Sequence, residues 1–237
     1  HASVSVTAEV AFVDSALTSE PLAVSLVRFT GLTLRLDAFP SGPSDVSVLQ
    51  RVQCTADTYQ RAAPTVVASV TDGAGAAQTF DVTGESTCGS DDAAVDVTGS
   101  GGSTVLAGVS VGAATITASF GTADATQALS VSSSAVDVAT LALTSSKLVL
   151  YGLDDEPFDT SVALTLADGT SYPDAGALAW LPLAEIVTYA SDVPGAVEVD
   201  AHGVMTLRAN HEALVGVSAQ TRCAPVASIY AIEQGQY

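Results

Sequence analysis

The chain has 237 residues, of which 48% are hydrophobic, so it is long enough for two domains and apolar enough to give each a core. Its formal charge of −19 comes from 26 acidic against 7 basic residues. Such a surface repels phosphate backbones and anionic lipid heads, so we expect no nucleic-acid partner. Apolar runs long enough to span a bilayer are absent, which excludes direct membrane insertion of this segment.

One short strand pattern occurs three times along the chain, at residues 4–8 (VSVTA), 114–118 (ATITA) and 215–219 (VGVSA). The copies are 110 and 101 residues apart, which is about the size of one β-sandwich domain. We therefore predict a stretch of a repeat array. Residues 1–21 are predicted to be the terminal strands of a preceding repeat, 22–133 a full repeat and 134–237 another.

The first full repeat contains short apolar segments separated by turn residues. Strands are predicted at residues 32–36, 66–70 and 94–97, and the pair Asp72-Gly73 is typical of a turn. Residues 48–63 have some helix-compatible spacing, but their threonines favour a strand and an edge loop. This punctuation predicts an all-β sandwich.

The second full repeat follows the same plan. Residues 161–166 alternate polar and apolar side chains, as in a half-buried strand, and Asp168-Gly169 repeats the turn of the first repeat. Further strands are predicted at 186–189, 196–199, 204–207 and 215–219. Residues 181–186 are compatible with one turn of helix.

Five segments of the second repeat carry a family resemblance: ADGTS at 167–171, VTYASD at 187–192, AVEVD at 196–200, GVMTL at 203–207 and VGVSA at 215–219. Together they resemble the bacterial immunoglobulin-like repeat of group 2. The resemblance implies tandem immunoglobulin-like β-sandwiches. Such repeats occur in adhesins, surface-layer proteins and algal flagellar surface or hair glycoproteins, where they act as spacers, adhesive modules or assembly units.

The resemblance also implies a function. The chain is expected to be a structural segment of a large extracellular filament or cell-surface glycoprotein, and its expected partners are neighbouring repeats and copies of itself. The alternative is an adhesin-type module that binds a glycan or protein ligand. Neither implies an enzyme, and fold alone does not settle the choice.

The three cysteines of the chain indicate whether its cellular compartment is oxidising. Cys54 and Cys88 fall in the same repeat, so we predict a disulfide between them in an oxidising environment. Cys223 lacks a partner in its own repeat. It is expected to form an inter-repeat or intermolecular bond, or to stay buried and reduced. Close Cys or His spacing of a structural zinc site is absent.

Two motifs point weakly to catalysis. The Gly-x-Ser-x-Gly pattern around Ser110 occurs in serine hydrolases, but it needs a following helix, and here a strand follows. His1 would bind copper only with a second histidine close by, and the next is His202. We expect no catalytic residue.

Acidic turns are the remaining ion candidates. Calcium binds several carboxylate or carbonyl oxygens in such loops, which makes these residues weak candidates: Asp91, Asp92, Asp154, Asp155 and Glu156. The alternative is that they are solvated turn acids. We expect no other cofactor. The run of residues 132–134 is a candidate for glycosylation on serine or for a flexible linker.

Overall fold

The computed structural model describes residues 3–6, 9–12, 15–18, 22–25, 27–72, 75–145, 149–150, 158–178, 180–209, 213–223 and 226–234. Four short strands come first: β1 (Ser3–Val6), β2 (Glu9–Phe12), β3 (Ser15–Thr18) and β4 (Leu22–Ser25). Strand β1 pairs with β4 and β2 with β3, all antiparallel. The β1–β4 pair crosses the boundary expected at residue 21.

Nine strands form what we call the first sandwich, residues 27–136. They are β5 (Val27–Phe39), β6 (Val48–Val52), β7 (Arg61–Asp72), β8 (Ala77–Asp81), β9 (Thr87–Ser90), β10 (Val95–Thr98), β11 (Val105–Gly108), β12 (Gly112–Phe120) and β13 (Ala123–Val136). One sheet has the order β10-β11-β7-β5, with β8 also paired to β7, and the other has the order β6-β13-β12-β9. Single 3-10 turns lie at Thr83–Glu85 and Gly101–Ser103.

Nine more strands form the second sandwich, residues 138–234. They are β14 (Val138–Ser145), β15 (Val149–Leu150), β16 (Phe158–Leu166), β17 (Ser171–Tyr172), β18 (Val187–Ser191), β19 (Val197–Val199), β20 (Val204–Leu207), β21 (Val215–Thr221) and β22 (Ala227–Gln234). A 3-10 turn at Ala175–Ala177 and one helical turn, α1 (Leu183–Ile186), precede β18. The helical turn allowed by the sequence at 181–186 is therefore present.

The two sandwiches have the same topology, strand for strand. The sheets of the second have the orders β14-β16-β20-β19, with β17 on β16, and β15-β22-β21-β18. In each sandwich one pair is parallel, β6 with β13 and β15 with β22. The predicted fold class, tandem all-β immunoglobulin-like sandwiches, is confirmed.

Alternating burial explains why these segments are strands. In β16, Val162, Leu164 and Leu166 are each buried, while the residues between them are half exposed. In β7, Val66, Ala68 and Val70 point the same way into the first core. Since side chains of a strand alternate between faces, each sheet places one apolar face against its partner sheet.

Candidate functional site: the junction between the sandwiches

A single residue separates the two sandwiches. Strand β13 ends at Val136 and β14 begins at Val138, and the carbonyl of the intervening Asp137 accepts a hydrogen bond from the Ala167 amide at 2.8 Å. The Gln53 amide donates to the Val136 carbonyl at 3.0 Å, and its side-chain Oε1 accepts from the Val138 amide at 3.2 Å. The connection is therefore held by backbone hydrogen bonds on both sides.

A disulfide crosses the junction. It joins Cys54, in the loop after β6, to Cys223, in the turn after β21, with the Cα atoms 5.6 Å apart and a sequence separation of 169. Of the alternatives for Cys223, the inter-repeat bond is the one the structure contains. A disulfide that links residues of two domains limits their separation covalently.

The predicted bond between Cys54 and Cys88 is wrong. Cys88 lies in the edge strand β9, where it pairs with Ala118, is half-buried against the apolar cluster that contains Ala118, and carries a free thiol. Strand β7 runs from the Cys54 end of the sandwich to the Cys88 end, so the two cysteines occupy opposite ends. Burial raises the pKa of the Cys88 thiol, which keeps it in the protonated form.

A buried polar network connects the facing loops. Gln60, which is 4% exposed, donates from Nε2 to Oδ2 of Asp168 at 2.7 Å and to the hydroxyl of Thr170 at 3.2 Å. Its Oε1 accepts from the Gln50 amide at 3.0 Å. Asp168 also accepts from the amide and hydroxyl of Thr170, each at 3.0 Å. Buried polar groups of one sandwich are thus paired by those of the other.

Backbone contact accompanies this network. Ser41 and Ser171 form an isolated antiparallel bridge in which the Ser171 amide donates to the Ser41 carbonyl at 2.8 Å. A Cβ atom added at Gly42 would lie 2.8 Å from the Cα of Thr170. Glycine is needed at this position because the two backbones approach too closely for a side chain.

An aromatic cluster covers one side of the junction. The Trp180 ring lies 5.6 Å from the Tyr172 ring and 6.4 Å from that of Phe39, and the Arg61 guanidinium stands 4.3 Å from its centroid. Phe39 and Arg61 belong to the first sandwich, and Trp180 and Tyr172 to the second. The contact combines aromatic packing with a cation–π interaction.

The first sandwich also contributes apolar side chains to the junction. Val52 is fully buried and belongs to the core of the second sandwich, in which Val136, Val138 and Tyr172 also pack. Burial, and secondarily the Asp168 charge, raises the pKa of the Tyr172 hydroxyl, which makes no hydrogen bond within the described residues. The second core thus includes residues that the first sandwich supplies.

The acidic candidates for calcium are engaged in turns where the structure describes them. Asp91 accepts from the Thr115 amide at 2.6 Å, a bond that lowers its pKa, and Asp92 accepts from the Ala94 amide at 2.8 Å. Asp154, Asp155 and Glu156 lie outside the described residues. Within the described part of the chain, no three His, Cys, Asp or Glu side chains gather in a way that could hold a metal.

The structure does not give Ser110 the surroundings that a serine hydrolase needs. Ser110 lies between β11 and β12, so a strand follows it where a nucleophile turn needs a helix. His1 lies outside the described residues. Ser133 and Ser134 are exposed within β13 and therefore do not form a linker, and their glycosylation stays a prediction.

The junction residues carried little signal in the sequence. Gln60 is 108 residues from Asp168 and 110 residues from Thr170 in sequence, so these residues form no motif. Cys223 was the exception, because a cysteine without a partner in its own repeat indicates a bond to another one. In the parts of the chain described here, no helix has the length and hydropathy of a membrane span.

The chain matches no model of a protein family, and no curated protein matches it. Among solved structures it is similar to the surface layer protein SbsC, domains 1–6, with 18% identity and a TM-score of 0.32 over 99% of this chain and 32% of that one. It therefore spans about a third of that structure.

A second similar structure is the C-terminal 282-residue fragment of intimin in complex with the intimin-binding domain of its translocated receptor. Identity is 12% and the TM-score 0.27, over 87% of this chain and 64% of that one. A third is human protocadherin-24 EC1-2, with 10% identity and a TM-score of 0.25 over 85% and 99% of the two chains.

Proposed function

We propose that this chain is a structural segment of a large extracellular or cell-surface protein, in which its sandwiches act as spacer and assembly modules. The observation that carries this proposal is the junction. Domains joined by a linker ordinarily move relative to each other unless their interface is extensive. Here the linker is one residue long, a disulfide crosses the contact, and Gln60 and Val52 are buried in it. A spacer needs this fixed orientation, whereas a tethered binding head does not.

The disulfide supports an extracellular location. Such bonds form and persist in oxidising compartments, and the Cys54–Cys223 bond joins two domains that have cores of their own. The charge of −19 keeps a long array soluble and repels nonspecific anionic partners. The resemblance to group 2 immunoglobulin-like repeats, drawn from residues 167–219, leads to the same setting.

The experiment is to locate the chain on intact source cells with antibodies raised against the purified protein. Immunogold electron microscopy of unpermeabilised cells is expected to label a surface layer or appendage at repeated positions. Labelling that requires permeabilisation would contradict the extracellular location. Label on the surface with no underlying ordered structure would contradict the structural role.

An adhesin-type binding module is the second candidate. One depression of the second sandwich is lined by Ala190, Ser191, Asp192, Gly216, Ser218 and Ile229, and the Ile229 side chain is 76% exposed. Asp192 already accepts a hydrogen bond from the Gly216 amide at 2.9 Å, which occupies one of its oxygens. Saturable binding of the purified chain to a glycan array, abolished by Ile229→Asp, would favour this candidate over the structural one.

A further inference from the structure

The register of the paired strands makes the two sandwiches comparable residue by residue. In the first, Leu32 pairs with Ala68, which pairs with Phe80 across β7. In the second, Leu141 pairs with Leu164, which pairs with Tyr172. Phe80 and Tyr172 therefore stand at equivalent positions.

The same comparison extends to the start of each sandwich. Phe29 pairs with Val70 directly before a bulge in β5, and Val138 pairs with Leu166 directly before a bulge in β14. Phe29 and Val138 are thus equivalent. We call this end of each sandwich its amino-terminal pole: Phe29 and Phe80 in the first, and Val138 and Tyr172 in the second.

The exposure of the two amino-terminal poles differs sharply. In the second sandwich Val138 and Tyr172 are at most 2% exposed, in a junction to which the first sandwich contributes. In the first sandwich Phe29 and Phe80 are 42% and 50% exposed, and Val27, two residues before Phe29 in β5, is 50% exposed. They share the sheet face that carries Val70, so they form a contiguous apolar surface rather than scattered side chains.

We infer that the amino-terminal pole of the first sandwich is a docking surface for another sandwich of the same repeat type. The docked sandwich contacts this pole with its end that carries Val52, Cys54 and Gln60, which is the end that the first sandwich uses at its junction with the second. The inference rests on the proposed function and names the partner of one surface. It follows from continuity with the existing junction, because equivalent positions are apolar at both poles and only one set is covered.

A polar feature of the junction is reproduced as well. Asp72 ends β7 as Asp168 follows β16, which places a carboxylate where Gln60 of the docked sandwich would donate. Thr122 is the second residue after β12, as Cys223 is the second residue after β21, although the turn between β12 and β13 is the shorter one.

This equivalence provides a covalent test. Residues 28–136 are duplicated in frame after Val136 of the full chain, so that a copy of the first sandwich precedes another. Thr122→Cys is introduced into the second copy, and Cys88→Ser into both to remove the remaining native thiols. Disulfides of the oxidised protein are mapped by mass spectrometry of peptides under non-reducing conditions.

We expect the introduced cysteine to bond to Cys54 of the first copy, while Cys223 bonds to Cys54 of the second. Phe29→Asp with Phe80→Asp in the second copy is expected to lower the ratio of bonded to free introduced cysteine by about tenfold in a glutathione buffer. The matched control Leu214→Asp changes an apolar residue that is 54% exposed in the second sandwich, and should leave the ratio unchanged.

Two outcomes would overturn the inference. The first is an introduced cysteine that stays a free thiol while the Cys223 bond forms, since the chain is then folded but undocked. The second is a duplicated chain that fails to form the Cys223 bond, since an array must accept a further copy. Thr122→Cys placed in the first copy instead should stay free. Either failure would leave the native junction, and with it the proposed function, unaffected.

Discussion

The amino-terminal poles of the two sandwiches are built on equivalent strands but differ in what covers them. Tyr172 is fully buried beneath Trp180 at the junction, whereas its equivalent Phe80 is half exposed. The comparison teaches that covering such a pole takes more than apolar contact. It also takes a close backbone approach at Gly42, a polar network around Gln60 and a disulfide from Cys54.

Removing the disulfide should have the largest effect on the covered pole. The variant Cys54→Ser with Cys223→Ser is expected to lose about 2–4 kcal/mol of unfolding free energy, because the bond constrains a long loop of the unfolded chain. Urea unfolding followed by the fluorescence of Trp180 measures it. Cys88→Ser is the matched control and should change the free energy by about 0.5 kcal/mol or less. Equal losses in both variants would contradict the assigned pairing.

Closing the space between the backbones should have the next largest effect. Gly42→Ala places a methyl group against Thr170 and is expected to cost about 1–3 kcal/mol, as overpacking does elsewhere. Gly89→Ala is the control, since a Cβ there meets nothing within 4 Å. Matching denaturation midpoints for the two variants would show that the sandwiches do not approach as described.

Breaking the polar network around Gln60 should have the third largest effect on stability. Gln60→Ala removes the donor to Asp168 and the acceptor for the Gln50 amide, leaving buried groups unpaired at a cost of about 1–3 kcal/mol. Gln78→Ala, at an exposed position of β8, should cost far less. Hydrogen exchange of the Ser171 amide gives a second readout, and it should rise only in the Gln60 variant. Unchanged exchange there would count against the network.

Alkaline pH should have the smallest effect on the free energy of unfolding. It should also distinguish the covered pole, which carries the buried Tyr172, from the exposed pole. Burial raises the pKa of Tyr172, and burial with the Asp200 charge raises the pKa of Tyr189 to about 12. Because the folded pKa exceeds the unfolded value of about 10, this contribution to stability is complete below pH 10 and is lost as the pH rises through the folded pKa. The second sandwich should therefore weaken between about pH 10 and 12.

Paired variants check that expectation. Tyr172→Phe should lessen the loss of urea resistance between pH 8 and pH 11, whereas Phe80→Tyr, at the exposed pole, should not create one. The phenol of an exposed tyrosine ionises with the same pKa in the folded and unfolded chain, so it does not couple to folding. An alkaline loss of similar size in both variants would contradict the difference in burial.

The strands could be predicted from sequence because they are encoded locally. Residues 161–166 alternate in burial as expected, and Asp168 follows the end of β16 in the second sandwich as Asp72 ends β7 in the first. Burial in a half-covered sheet follows directly from the period of the side chains. The all-β fold therefore needed no long-range information.

The junction could not be predicted in the same way. Gln60 and Asp168 meet only because one sandwich packs on the next, and neither carries a local pattern that records this. The Cys54–Cys88 prediction is wrong for the same reason, because two cysteines of one repeat can lie at opposite ends of it, here separated by the length of β7. Cys223 did indicate an inter-repeat bond, because it lacks a partner cysteine in its own repeat.

The assignment of the disulfide tests the account most directly, because Cys54 and Cys223 meet only if the two sandwiches join as described. The purified, oxidised chain is digested without reduction after its free thiols are alkylated, and its linked peptides are sequenced by mass spectrometry. The account predicts a peptide pair joining Cys54 to Cys223 and an alkylated Cys88. A Cys54–Cys88 pair with alkylated Cys223 would contradict it.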